Sequence, residues 1–292
     1  MRLSRRWYQV QLQLSASTRE AIVALLFHWG CAGIEEREDG LVAYFPEEVA
    51  IETVERRIQQ MVSTLPALAG QAKWKPCSKD WLSVTTIAEQ NWQAAWKKYF
   101  KPILISERLV VVPEGDKFVS RPGQIVVVIR PGQAFGTGTH ATTQLVLRAL
   151  EKWLCPNMRV LDVGTGSGIL AITAAKLNAR FVAANDIDPV ALENARQNVQ
   201  LNQLLPPIDF FPSSVRPPGK FDLILANLTS QVLLELLSNF NSWLEGDGRV
   251  IASGVLQEEG GDFIADLHAQ GWEVVEQTAE DEWICLVIYP KS

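Results

Sequence analysis

Two hydrophobic rhythms alternate along this chain. The stretch "WYQVQLQLS" (7–15) alternates polar and apolar side chains with period two, the pattern of a half-buried strand. Next comes "STREAIVALLFHWG" (17–30), with a Ser or Thr cap, apolar residues at helical spacing and a stopping Gly30, which predicts a helix. Short extended pieces around "CAGIEER" and "LVAYF" meet at a turn signal, Asp39-Gly40. Then "EEVAIETVERRIQQMVSTL" reads as a helix and "WLSVTTIA" (81–88) as a strand. The order β-α-β-β-α-β predicts a small ferredoxin-like α+β domain over residues 1–88.

A helix is expected next, with Trp92 and Trp96 on one face, as a linker over 89–107. The Val-rich runs "RLVVVPEG" and "QIVVVIRPG" suggest a short hairpin that opens a larger domain, 108–292. From there strand and helix patterns take turns: "RVLDVG", "GILAITAAKLN", "RFVAANDI", "DPVALENARQNVQLN", a weak strand "IDFF", "FDLILANL", "SQVLLELLSNFNSWLEG", "RVIASGV" and "DFIADLHAQG". Repeated βα units predict a mostly parallel sheet covered on both faces. Only "TAEDE" separates the last two strands, too little for a crossover helix, so the final strand is expected to run antiparallel.

Composition narrows the function. With 292 residues, 47% of them hydrophobic, the chain can bury a sizeable core. A formal charge of −6 argues against direct binding to nucleic acid. Residues 1–88 carry no dense Lys/Arg stripe beyond Arg2, Arg5 and Arg6. The four cysteines lie far apart and there are only three histidines, so no metal site is expected and the thiols read as reduced. The N-terminus alternates instead of forming a signal-peptide core, and no apolar stretch exceeds about ten residues. A cytoplasmic protein with no membrane contact is expected.

The candidate chemistry starts at "DVGTGSG" (162–168), where Gly164, Gly166 and Gly168 follow the first strand of the α/β domain. Ligands of open α/β sheets bind at such strand ends. No lysine follows, which excludes a P-loop, and Ile169 stands where a dinucleotide fold wants glycine or alanine. Asp162 would repel a pyrophosphate and suit a cationic ligand. S-adenosylmethionine, cationic and phosphate-free, fits this balance best. Asp186, at the end of the next strand, can accept both ribose hydroxyls. Asp188, before Pro189, reads as a helix cap.

A second loop, "PGQAFGTGTHATT", gathers three glycines with Thr137, Thr139, Thr142 and Thr143 ahead of a helix, a place for the methionyl carboxylate. Phe135 offers a ring to the adenosine or the methyl donor, and His140 reads as a hydrogen-bonding support. Asn227, in "LILANLTS", ends a later strand. Its side-chain oxygen and a neighbouring backbone carbonyl can accept the hydrogens of a neutral amine and aim the nitrogen lone pair. A lysine amine has a reference pKa of about 10.4, so burial beside a sulfonium is needed to strip its proton.

The segments "DWLSVTTIAEQNWQAAWKKYFKP", "PGQAFGTGTHATT", "VLDVGTGSGILAITAAKLNA", "NDIDPVALENARQN", "FDLILANL" and "DEWICLVIYP" resemble, in order, the bacterial methyltransferases of large-subunit ribosomal protein eleven. The resemblance runs from about residue 80 to the end, and the F-G-T-G-T-H-x-T-T segment is its most specific part. It implies a class I methyltransferase with a seven-stranded sheet, S-adenosylmethionine as donor, and a ferredoxin-like domain that grips the ribosomal protein. It also implies trimethylation of lysine side chains and of the N-terminal α-amino group of that protein. A monomer that meets its substrate free or on the ribosome is expected. Carried over by position, the cofactor contacts fall on Thr143, Gly164, Asp186 and Asn227; Gly166 and Phe135 come from the residue reading alone. After its Asn the family usually continues with an aliphatic residue and small apolar ones, where this chain has Thr229 and Ser230. The rival readings are a class I methyltransferase of RNA or a small amine, a nicotinamide-dependent oxidoreductase, and a non-catalytic cofactor-binding adaptor.

Overall fold

The chain divides into two compact units, Met1–Phe100 and Lys101–Ser292. The structure is a computed structural model. It describes residues 6–13, 22–23, 25–26, 29–31, 33–37, 40–68, 81–88, 101–130, 138–204, 208–215, 217 and 219–291, the side chains of 36 and 61–68 excepted.

In the first unit, β1 (Arg6–Leu12), β2 (Gly33–Arg37), β3 (Gly40–Pro46) and β4 (Leu82–Ala88) form an antiparallel sheet in the order β2-β3-β1-β4. That is the strand order of a split β-α-β motif, as the pattern predicts. The period-two signal is literal: Val10 and Leu12 of β1 are buried. They share an apolar cluster with Ile51, Val54 and Ile58 of α1 (Ile51–Leu68), spaced as one helical face requires. Of the helix predicted over 17–30, Ile22, Val23, Leu25 and Leu26 are helical, and Gly30 takes the positive φ of +94° that ends it. The other positions of that stretch, Trp29 apart, lie outside the described residues.

The second unit opens with a small sheet, β5 (Ile103–Leu104), β6 (Leu109–Pro113) and β7 (Ile125–Ile129). The hairpin expected of the two Val-rich runs is not what forms: β6 and β7 are parallel, and β6 pairs antiparallel with β5 instead. The connection over 114–124 bends at Gly115 and Gly123, both at positive φ, and is long enough to return the chain before β7 begins. The linker helix over 89–107 fails at its end. Residues 89–100 lie outside the described residues, and after Pro102 the chain pairs as strand β5, because proline removes the amide a helix interior needs.

Beyond it run α2 (Ala141–Trp153), β8 (Arg159–Val163), α3 (Ile169–Lys176), β9 (Phe181–Asp186), α4 (Pro189–Leu201), β10 (Asp209–Pro212) and β11 (Phe221–Asn227). Then come α5 (Ser230–Trp243), β12 (Leu244–Leu256), α6 (Gly260–Ala269), β13 (Trp272–Glu280) and β14 (Trp283–Pro290). The seven strands take the order β10-β9-β8-β11-β12-β14-β13, and β14 alone runs antiparallel, as predicted. The closing hairpin is tighter than the pattern suggested: β13 extends through Glu280 and turns at Asp281, at φ +51°.

Both faces of this sheet are buried. In β11, Leu223 and Leu225 join the layer containing Leu147, Leu150 and Ile172, while Ile224 and Ala226 join Leu233, Leu237 and Phe240. Strands covered on both faces read as continuous apolar runs, which is why "LILA" carries no alternation. Chain order reverses between β8 and β11, the place where a doubly wound sheet opens its ligand crevice. The glycine turn ends β8 and Asn227 ends β11, so both candidate groups flank that point.

Candidate active site

The turn after β8 is built from positive φ angles at Gly164 (+71°), Gly166 (+53°) and Gly168 (+82°), which side chains with a Cβ rarely adopt. Its amides are already engaged. Gly164 N donates to Asn185 Oδ1, Thr165 N to Asn185 O, Gly166 N to Asp186 Oδ2, Gly168 N to Thr165 O and Ile169 N to Ser167 Oγ. A phosphate cradle needs such amides turned toward the ligand. This turn is instead packed against the protein, a Cβ at Gly164 falling 2.6 Å from Leu228 Cδ2 and one at Gly168 3.0 Å from the Cβ of Ala195, and amides engaged in this way favour a nucleoside without phosphates. Ile169 is buried, and a Cβ at Gly138 would lie 3.3 Å from its Cδ1, so this residue packs beneath the end of the second loop.

Asp186 sits at the end of β9, beside the turn. Its Oδ2 takes the Gly166 amide at 2.8 Å and its Oδ1 the Asp188 amide at 2.9 Å. Each carboxylate oxygen keeps a second lone pair, so vicinal hydroxyls can still be accepted. Asp188 caps α4 through Val190 N at 2.8 Å, with Pro189 following, as the sequence indicates.

Asp162 departs from its expected part. It is wholly buried and lines no open surface. Its Oδ2 accepts from Thr165 Oγ1 at 2.6 Å and from Ala171 N at 3.1 Å, bracing the turn against the first coil of α3. Burial pushes its pKa up to about 7, against the lowering effect of those hydrogen bonds, and the nearby Asp186 raises it further. Among the described residues its other oxygen, Oδ1, has no hydrogen-bond partner.

Across the crevice, Asn227 Nδ2 donates to Thr142 Oγ1 at 3.1 Å and to Thr143 Oγ1 at 3.3 Å. Both threonines are 1% exposed, in the first turn of α2. With its amide hydrogens directed at two hydroxyls, Asn227 has its carbonyl oxygen left to receive a donor. The backbone beyond it is held by Leu228 N to Ser253 O, at 2.9 Å. There Gly254 is obligatory: at φ +93° a Cβ would stand 2.2 Å from Leu228 O.

The second loop proves to be a cap as well as a ligand candidate. His140 caps α2, its Nδ1 lying 3.4 Å from Thr142 N and 2.8 Å from Thr142 Oγ1. Thr142 is the residue that sequence reasoning passed over in favour of Thr143. Its signal was present, since a Thr-Thr pair just inside a helix start puts both hydroxyls on one end. Phe135 lies outside the described residues. Gly164, Gly166 and Asp186 come together on one side, Thr143 and Asn227 on the other. Among the described residues no group of three or more His, Cys, Asp or Glu could hold a metal ion.

Comparison with known proteins decides the family. Residues 6–291 match the model described as Ribosomal protein L11 methyltransferase (PrmA). The chain belongs to this family. It is 33% identical to the ribosomal protein L11 methyltransferase of Desulfitobacterium hafniense, over 96% of each chain. It is 32% identical to that of Caldicellulosiruptor bescii, over 98% of this chain and 99% of the other. A crystal structure of ribosomal protein L11 methylase from Lactobacillus delbrueckii subsp. bulgaricus matches with a TM-score of 0.61 and 34% identity, covering 66% of this chain and 100% of that one.

Membership makes this chain a class I, S-adenosylmethionine-dependent methyltransferase. The site is compatible with that donor: Asp186 sits beside a glycine turn whose amides bond within the protein, and no lysine stands at the glycines. Thr229 is the N-cap of α5 and Ser230 its first residue. Ser230 Oγ donates to Glu259 Oε2 at 2.9 Å, ahead of α6.

Proposed function

We propose that this chain methylates amino groups of ribosomal protein L11, on lysine side chains and at the N-terminal α-amino group. The observation that carries the reading is the pair of bonds from Asn227 Nδ2 to Thr142 and Thr143, at 3.1 and 3.3 Å. These bonds fix the side-chain amide the right way round, with its oxygen left to accept hydrogens from an incoming amine. With a neighbouring backbone carbonyl taking the second hydrogen, the amine's two N–H bonds and its carbon are fixed and the lone pair points along the fourth tetrahedral direction, the requirement for in-line attack.

The donor, when bound, supplies a methyl group on a positively charged sulfur, so little activation of the leaving group is needed. The protein's work is to bind, orient and neutralise. Asp186 accepts the ribose hydroxyls while its existing bonds keep it fixed to the glycine turn. Gly164 and Gly166 supply the positive φ angles that carry the turn past Asp186, and the Phe135 ring is assigned to the adenosine or the methyl donor. Thr143, already accepting from Asn227, keeps a hydroxyl proton for the methionyl carboxylate. Burial of the amine beside a cationic centre lowers its pKa and yields the neutral nucleophile.

The ferredoxin-like unit, 1–88, serves substrate recognition, and the unit Lys101–Ser292 carries out transfer. Among the described residues no helix is long and apolar enough to cross a membrane. A monomer in the cytoplasm, meeting L11 free or on the ribosome without direct contact to nucleic acid, fits the reading.

The test is incubation with isotopically labelled S-adenosylmethionine and unmodified ribosomal proteins, followed by mass spectrometry of intact proteins and their peptides. Label is expected on L11 amino groups. Label confined to RNA or to small amines overturns the proposal.

A further inference from the structure

Helix α4 carries Asn194 and Asn198, and Asn202 caps its C-terminus one turn further on, beside the buried Ala191, Leu192 and Ala195. Amides on a buried face need partners, and two of these three have them within neighbouring segments. Asn202 bonds Val128 of β7 twice, its Oδ1 accepting from Val128 N at 2.9 Å and its Nδ2 donating to Val128 O at 2.6 Å. Asn198 does something different. Its Oδ1 accepts from Arg130 N at 2.8 Å and its Nδ2 donates to Ser167 O at 2.8 Å.

One buried amide, 2% exposed, thus ties the end of β7 to the middle of the glycine turn. The contact is close all along this face, for a Cβ at Gly168 would stand 3.0 Å from that of Ala195. The chemistry is specific to asparagine. An aspartate keeps the acceptor for Arg130 N but sets a carboxylate oxygen against Ser167 O. An apolar residue leaves two backbone groups without partners.

We propose that Asn198 is a positioning residue for the donor: through Ser167 it holds the Gly166–Gly168 turn in the shape that receives the nucleoside. Asn202, bonded among the described residues to β7 and to its own helix, is the natural control, because it makes similar buried hydrogen bonds away from the turn. The proposal rests on the reading of that turn as the nucleoside site.

The experiment uses the full chain and the variants Asn198→Ala, Asn198→Asp and Asn202→Ala. For each, melting temperature, calorimetric affinity for S-adenosylhomocysteine, and KM and kcat for the donor are measured. Asn198→Ala and Asn202→Ala are expected to lower the melting temperature by similar amounts. Only the Asn198 variants should weaken S-adenosylhomocysteine, by about ten-fold, the effect of stranding buried polar groups. Their kcat at saturating donor should stay within about two-fold of wild type, since binding and not transfer is disturbed. Asn198→Asp should match Asn198→Ala in affinity, and it stands in for that variant if the alanine form does not fold. Wild-type affinity in the Asn198 variants, or equal weakening in Asn202→Ala, overturns this proposal alone. Failure of the wild-type protein to bind S-adenosylhomocysteine overturns it together with the reading of the turn.

Discussion

Asn227 donates through Nδ2 to the Thr142 hydroxyl at 3.1 Å, joining the end of β11 to the first turn of α2. The same hydroxyl lies 2.8 Å from His140 Nδ1, the cap of that helix. A chain of three side chains therefore sets which way the asparagine amide faces. Flipping it would present NH₂ to the substrate amine in place of an acceptor.

Thr142→Val keeps the shape of the side chain and removes the oxygen. Transfer in a single turnover is expected to slow by about ten-fold, the cost of one orienting hydrogen bond, with donor affinity much less affected. Rates equal to wild type would show that Thr143 alone orients Asn227.

Asp186→Ala should weaken donor binding by about 1–3 kcal/mol, the range for losing a buried hydrogen-bond partner. Titration calorimetry with S-adenosylhomocysteine reads it directly. An unchanged dissociation constant would remove the diol from its assigned place and leave Asp186 only as a brace for Gly166 and Asp188.

Gly254→Ala tests how tightly the strand end carrying Asn227 is held. The added Cβ meets Leu228 O at 2.2 Å on a backbone at φ +93°, so the strand must shift. A loss of more than about 2 kcal/mol in denaturant unfolding is expected, accompanied by reduced transfer. An unaltered unfolding midpoint would mean the turn is looser than its packing indicates.

Asp162 gives a pH dependence with a definite sign. Its pKa is raised to about 7 in the folded protein, so the folded state holds this proton more tightly than the unfolded chain. Its contribution to stability is complete below about pH 4 and is lost as pH rises through about 7. Asp162→Asn should flatten the stability profile between those limits. An unchanged slope in thermal melts across that window would contradict the assignment.

Much of the fold was legible because its segments obey one period each. Val10 and Leu12 alternate into the core, Ile51, Val54 and Ile58 share a helical face, and "TAEDE" is too short for anything but a reversal. The β6–β7 pair was not legible, because a Val-rich run reads the same whichever way its neighbour runs. Only the path of residues 114–124 decides that. In the site, Gly164, Gly166, Asp186 and Asn227 stood out because strand ends at a switch point are few. Thr142 and Asn198 did not. Their roles lie in partners far along the chain, Asn227 for one and both Arg130 and Ser167 for the other. Asp162 looked like a ligand to a cation because sequence shows its charge but not its depth.

The most direct measurement is methyl transfer to ribosomal protein L11 by Asn227→Ala, followed by intact-protein mass spectrometry, alongside calorimetry with S-adenosylhomocysteine. If the asparagine oxygen orients the amine, transfer falls by about a hundred-fold or more while cofactor affinity changes only a few-fold. Transfer at the wild-type rate would contradict it.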